Sequence, residues 1–264
     1  MSERSKIGTW PKILRADEQL HAIRTEIALY QHSQPYSVRG QLHPDCTTFT
    51  ANLQRREFPP YRISLQVGEF IYNLHSALDQ LADFLVRHSN GCPATDTYFP
   101  ILKTEPCQPK RGPRSLPHVA GGVTTRIAEA LDELQPYKAQ GDDVHWHPLA
   151  IVKALSKIDK HRNLLVADTT VGQSSVILEC RGVAYQTIVF GILEEDTEIA
   201  SFTLPEPVAP EEVKVNGQFS LDVTFSETEP PERQPVAHVL DGCLSYVREV
   251  VVPTLEKAVY GPGS

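Results

Sequence analysis

Between Gly68 and His88 the chain reads GEFIYNLHSALDQLADFLVRH, and no other stretch limits the possible fold as tightly. At about 100° per residue, Phe70, Leu74, Ala77, Leu78, Leu81, Phe84 and Leu85 share one broad apolar stripe. A stripe of that width must be buried, so the rest of the chain has to supply its cover. Ile63 and Val67 continue the stripe upstream, and Pro59-Pro60 suits a helix start. The pattern predicts one helix over 61–89, with Gly68 as an internal weak point costing about 1 kcal/mol relative to alanine.

Polar residues border this stripe. Asn73 stands on one edge. His75 and Asp79 stand on the other, four residues apart and therefore stacked. A second stretch, Leu149 to Arg162 (LAIVKALSKIDKHR), repeats the anomaly. Ile151, Leu155 and Ile158 set its apolar face, yet Asp159 and Arg162 fall about 80° and 20° from Ile151. Charges on an apolar face need partners, because an unpaired buried charge costs several kcal/mol. The two stretches are expected to pack together, with an Asp79 or Asp159 carboxylate in hydrogen-bonding reach of Arg162 or His75.

The chain has 264 residues, 41% of them apolar, which is ample for a core. Its net charge of −8, with no basic stripe, argues against non-specific binding of nucleic acid. No apolar run has the length of a membrane span, and the first residues lack an apolar signal core. Five cysteines, odd in number and without a C-x-x-C pair, read as reduced thiols of a cytoplasmic protein.

Taken in order, Ile13, Ala16, Leu20, Ile23, Ile27 and Tyr30 form a narrow helical seam. Ser33–Asp45 is polar, and Thr47–Gln54 has some strand character. Residues 90–121 form a long loop rich in Pro and Gly, anchored by Tyr98-Phe99-Pro100-Ile101. Val123–Leu134 is a short amphipathic helix, and Pro148 opens the helix that ends near Arg162. From Leu164 the texture changes to short β-rich runs, with Asn216-Gly217 as a hairpin signal. A last helix begins at Val236, and Pro253 should kink or restart it. The expected architecture is a single α+β domain. About five helices make a bundle-like helical half over 10–163. An antiparallel β-meander of five to six strands occupies 164–226, before a C-terminal helix over 235–258 that returns to the helical half.

Four motifs recur in order: N-L-x-S-A-L-D-x-L-A from Asn73, F-P-I from Phe99, L-Q-P-Y from Leu134 and I-D-K-H-R from Ile158. Together, over about residues 10–165, they resemble a family of uncharacterised bacterial proteins common in actinobacteria and their mobile elements. The family has no established activity. Its first motif reads more like H-N-L-R-S-A-L-D-H-L, similar to the Arg-x4–6-His signature of HEPN helical ribonucleases. Here Tyr72, His75 and Gln80 stand at the His, Arg and His of that pattern, so both ends of the signature are lost. Arg15 to His21, Arg111 to His118 and Arg233 to His238 match the bare spacing, as chance alone would allow.

The candidate catalytic set is therefore His75, Asp79, Asp159, His161 and Arg162. As chemistry it is an acid–base or anion-binding cluster between two helices. As structure it is a polar network fixing helix register, the commoner use of such groups. Asn73 and the loop cations Lys110, Arg111 and Arg114 are weaker binding candidates, the cations reading more readily as a solvated loop. Asp142, Asp143, His145 and His147 lack an identifiable partner ligand, so no metal is expected, and no motif calls for a cofactor. The reading is a soluble binding or interaction protein for an unknown protein or small-molecule partner. The alternative is a HEPN-like hydrolase or ribonuclease, and a third is a purely structural partner in a mobile-element or defence operon.

Overall fold

The computed structural model describes residues 8–90, 97–106, 122–139, 143–161, 167–189, 196–225, 231 and 233–261, with side chains described except at 160–161, 167–174 and 189. Helix α1 (Trp10–His32) buries its narrow seam, Ile13, Ala16, Leu20, Ile23, Ile27 and Tyr30, against α2 (Tyr61–Asn90). The pair runs antiparallel: Lys12 meets Asn73, Gln19 meets Glu69, and Glu26 meets Arg62. α2 is the single long helix its stripe demands, and its apolar face forms the centre of the helical core.

Around it pack α3 (Thr125–Glu133), α5 (Pro148–His161), α6 (Val236–Tyr246) and α7 (Val252–Tyr260), while the short α4 (Asp143–Trp146) buries no side chain and lies beside α5. Thr124 caps α3 by accepting the Ile127 N–H. Helices α6 and α7 are joined by a π-helical stretch, Val247–Val251, placed just before Pro253. The proline has no N–H to give the preceding turn, and the widened turn accommodates it without a break in the rod. Arg24–Asp241 at 2.8 Å and Arg248–Asp17 at 3.3 Å tie this rod to α1. No helix among the described residues is long and apolar enough to cross a membrane.

The expectation of one meander is corrected. Two three-stranded antiparallel sheets are present, ordered β1-β2-β5 and β4-β3-β6, from β1 (Tyr36–Leu42), β2 (Thr48–Arg55), β3 (Ala167–Cys180), β4 (Val183–Val189), β5 (Glu198–Thr203) and β6 (Val213–Phe225). They share a second core of Tyr36, Phe49, Leu53, Val176, Leu178, Ile199, Phe202 and Leu221. The division of the chain at residue 163 fails with it, because β1 and β2 come from the stretch assigned to the helical half. Ser33–Asp45 reads as polar because β1 presents Arg39, Gly40 and Gln41 to solvent.

Asn216-Gly217 is not a turn. Both residues lie inside β6, opposite Ile177 and Val176 of β3. Gly217 is there for sheet stacking, since a Cβ at that position would run into Val38 of the facing sheet. The actual two-residue hairpin joins β3 to β4 through Arg181 and Gly182, at φ of 47° and 81°. Such angles suit the primed turns that match strand twist. Between β1 and β2, Asp45 accepts N–H groups from Thr47 and Thr48 at 2.9 Å and the Thr48 hydroxyl at 2.7 Å. These bonds hold its carboxyl down at about 2.

The two cores are not separate bodies. β6 contributes Leu221 to the sandwich core, then Val223 and Phe225 to the helical one. The side chain of Gln31, near the end of α1, also donates to the Leu221 carbonyl.

Candidate functional site

The polar residues bordering α2 divide between two tasks. Asn73 faces α1, where its Oδ1 accepts the Lys12 ammonium at 3.0 Å and its Nδ2 donates to Gln19 Oε1 and the Glu69 carbonyl, each at 3.0 Å. Gln19 in turn donates to Glu69 at 3.1 Å. This buried amide locks the register of α1 on α2, and it does not partner Asp159.

On the other border, His75 Nδ1 stands 3.2 Å from Asp79 Oδ2. Asp79 Oδ1 accepts the backbone N–H of Phe99 at 3.0 Å. Asp79 is thus one tether of the segment over 97–106. Gln135 is a second, accepting the Leu102 N–H at 2.9 Å while donating to the Leu131 carbonyl at 2.8 Å. Lys153 of α5 is a third, donating to the Ile101 carbonyl at 2.7 Å. The side chains of Phe99 and Ile101 are buried in the helical core at this point. Asp79 of S-A-L-D thus holds Phe99 of F-P-I, and Gln135 of L-Q-P-Y holds Leu102 just after it, so three of the four motifs meet on one strap.

Asp159 belongs to neither task. α5 packs directly on α2, and it brings the Asp159 carboxylate against the backbone of Gly68. A Cβ on Gly68 would lie 2.6 Å from Oδ1 and 3.2 Å from Cγ. The glycine that weakens α2 is therefore the residue that admits this carboxylate. Asp159 makes no hydrogen bond or ion pair with any described residue, and it is half-buried, not sealed. It opens on two cavities. One is a groove of about 650 Å³ lined by Lys12, Arg15, Leu65, Glu69 and Asn73 among others. The other, of about 240 Å³, is lined by Tyr72, His75, Ser76, Asp79, Ser156 and Asp159. Tyr72 and Asp159 line both, so the two cavities meet at that pair.

Of the expected four-residue network, the structure describes the His75–Asp79 pair, and the Asp159–Arg162 part lies outside the described residues. His75 and Asp79 do pair, but Asp159 stands apart from them. Arg162 and the side chain of His161 lie outside the described residues, as do Lys110, Arg111, Arg114 and Asp142. The chain at His145 and His147 is not extended. His145 lies exposed within the short α4, with Nδ1 3.3 Å from Lys103 Nζ. His147 precedes α5, where its Nδ1 accepts the Leu149 N–H at 3.3 Å and its ring packs edge-on to Tyr246. Burial lowers the His147 pKa, which suits an acceptor nitrogen. Among the described residues no group of three or more His, Cys, Asp or Glu is placed to hold a metal ion. Burial pushes the Cys243 thiol up to about 12, which removes it as a nucleophile at neutral pH.

Lys12, Tyr72 and Ser156 were not among the candidate site residues read from sequence. Tyr72 lies on the solvent side of a core helix, where an aromatic residue carries no periodic signal. Ser156 was legible only as the residue one helical turn before Asp159. No family model, no curated protein and no solved structure matches this chain.

Proposed function

We propose that this chain is a binding protein whose ligand occupies the paired cavities along α2. The observation that carries this reading is the meeting of both cavities on Tyr72 and Asp159. One is an aromatic ring 60% exposed, the other a carboxylate without a described partner. Exposed aromatics beside unsatisfied polar groups are characteristic of recognition surfaces, whereas structural polar groups find partners. Asn73, Gln19 and Glu69 stiffen the α1–α2 wall, so the groove is preformed and needs little ordering on binding. A screen of small fragments of each charge class, followed by amide and side-chain NMR shifts, tests the reading. Perturbations should cluster on Tyr72, Asn73 and Asp159, and vanish in the Tyr72→Ala/Asp159→Asn double variant. Fragments that bind equally well to that variant would sink the idea.

A second reading, hydrolysis, draws on the His75–Asp79 pair beside Ser76 and Ser156 in the smaller cavity. A carboxylate on Nδ1 leaves Nε2 to serve as a base. Against it, no hydrogen bond joins His75 to either serine, and Asp79 is already committed to the Phe99 N–H. The HEPN-like form of this reading also lacks the signature arginine and histidine at His75 and Gln80. Turnover of an activated ester or of an RNA oligonucleotide, lost in His75→Ala and kept in Tyr72→Ala, would favour the enzyme.

A further inference from the structure

Resting on the binding reading above, we infer that the smaller cavity between α2 and α5 takes an alkyl-borne organic cation, a guanidinium or primary ammonium group. The cavity has about 240 Å³, room for such a head group and the first carbons of its chain. Among the described residues two carboxylates line it, Asp79 and Asp159, and no described lysine or arginine does. The two acids are not equivalent. Both Asp79 oxygens are used, one by the Phe99 N–H at 3.0 Å and one by His75 at 3.2 Å. Both Asp159 oxygens are unclaimed by described residues.

Ser156 supplies an independent indication. It is 6% exposed, yet its hydroxyl makes no hydrogen bond to a described residue and is not among the sealed, unsatisfied side-chain atoms. A serine in mid-helix ordinarily bonds back to the preceding turn or points to water. Here it opens on the cavity one helical turn from Asp159, on the same face. A carboxylate with a hydroxyl beside it is an acceptor set suited to an N–H-rich cation.

Tyr72 completes the set. Its ring forms the wall shared with the larger groove, where the Lys12 ammonium already lies 5.1 Å from the ring centroid. The ring face thus holds one cation in the free protein, and a planar guanidinium gains further from stacking on such a ring. Gly68 contributes by lacking a side chain, since any Cβ there would push the Asp159 carboxylate away from its seat.

The test is isothermal titration calorimetry of the full chain at about 150 mM salt, which screens the general attraction of an acidic protein for cations. Nα-acetyl-arginine amide and spermidine are the probes, and Nα-acetyl-citrulline amide is the neutral isostere of the first. At least one cation should bind saturably, at least about tenfold tighter than the citrulline amide. Asp159→Asn should weaken it about tenfold or more while changing net charge by one unit. Tyr72→Ala and Gly68→Ala should weaken it too, each shown folded by circular dichroism. Tighter binding of the arginine amide identifies the source as a basic peptide side chain, and tighter binding of spermidine identifies a free polyamine. Equal affinity for arginine and citrulline amides overturns the inference, as does cation binding that ignores Asp159→Asn. Neutral or anionic fragments binding at Tyr72 while both cations fail would overturn it and leave the binding reading standing. Failure of fragments of every charge would remove both.

Discussion

Gly68→Ala, made in two backgrounds, measures how firmly the Asp159 carboxylate is held against α2. In a helix interior the substitution stabilises by about 1 kcal/mol through backbone entropy and propensity alone. In the native background the new Cβ would sit 2.6 Å from Asp159 Oδ1, when ordinary contact begins near 3.4 Å. The carboxylate is the far end of a short side chain, so it can move, but only by leaving its rotamer or shifting α5. That displacement costs on the order of 1 kcal/mol, which cancels the propensity gain. All three of the nearest atoms to the new Cβ belong to Asp159. Asp159→Ala removes all three, so in that background Gly68→Ala should deliver its full gain of about 1 kcal/mol. Urea unfolding of wild type, both single variants and the double closes the cycle, with an expected coupling of about 1 kcal/mol. Equal stabilisation in both backgrounds, within about 0.3–0.5 kcal/mol, would refute the claim that the glycine exists to admit the carboxylate. Asp159→Ala alone should be close to neutral, because no described partner is stranded by it.

Asp79→Ala strands the Phe99 N–H and should cost about 1–3 kcal/mol, whereas Asp79→Asn keeps an acceptor oxygen and should cost under about 1 kcal/mol; equal losses in denaturant unfolding would contradict the tether. His147 has its pKa lowered by burial, so the unfolded chain binds the proton more readily. Its contribution is complete above its ordinary value of 6.5 and declines as pH falls below it. His147→Asn, which retains a capping oxygen, should lose stability less steeply than wild type between about pH 7 and 5, read from thermal melts. The Asp45 carboxyl should titrate by NMR with a midpoint of about 2, and a midpoint near 3.8 would show the turn bonds to be absent in solution.

The helices were legible because their periodicity is written in the residues that must be buried. Ile13 through Tyr30, and Phe70 through Leu85, each specify a face, and the structure buries those faces. The pairing of α2 with α5 was legible for the same reason, as was the His75–Asp79 stack. The sheets were less so. β3 is one strand from Ala167 to Cys180 with an irregularity in its pairing with β6 between Val171 and Ser174, and this reads in sequence as two strands. Nothing local tells Thr48–Arg55 that its second neighbour is Glu198–Thr203. Gly68 and Gly217 show the opposite failure: each resembles a local weakness or a turn, and each answers to a side chain distant in sequence. A partner for Asp159 was sought in His75 or Arg162; the described His75 pairs with Asp79 instead, and Asp159 lies against Gly68 and opens on two cavities.

The pairing of β2 with β5 also sets a timetable. Thr48 lies opposite Thr203, so about 150 residues must be made before the first sheet can gain its third strand. At ribosomal speeds that interval is on the order of ten seconds. Until then a β1–β2 hairpin holding Tyr36, Phe49 and Leu53 lacks its third strand, and the facing sheet that covers them is complete only with β6. Two strands without a partner layer are only marginally stable. The nascent chain therefore passes through a window in which its helices can pair locally while a sticky hairpin waits. In this protein the hazard of aggregation belongs to synthesis more than to the finished molecule.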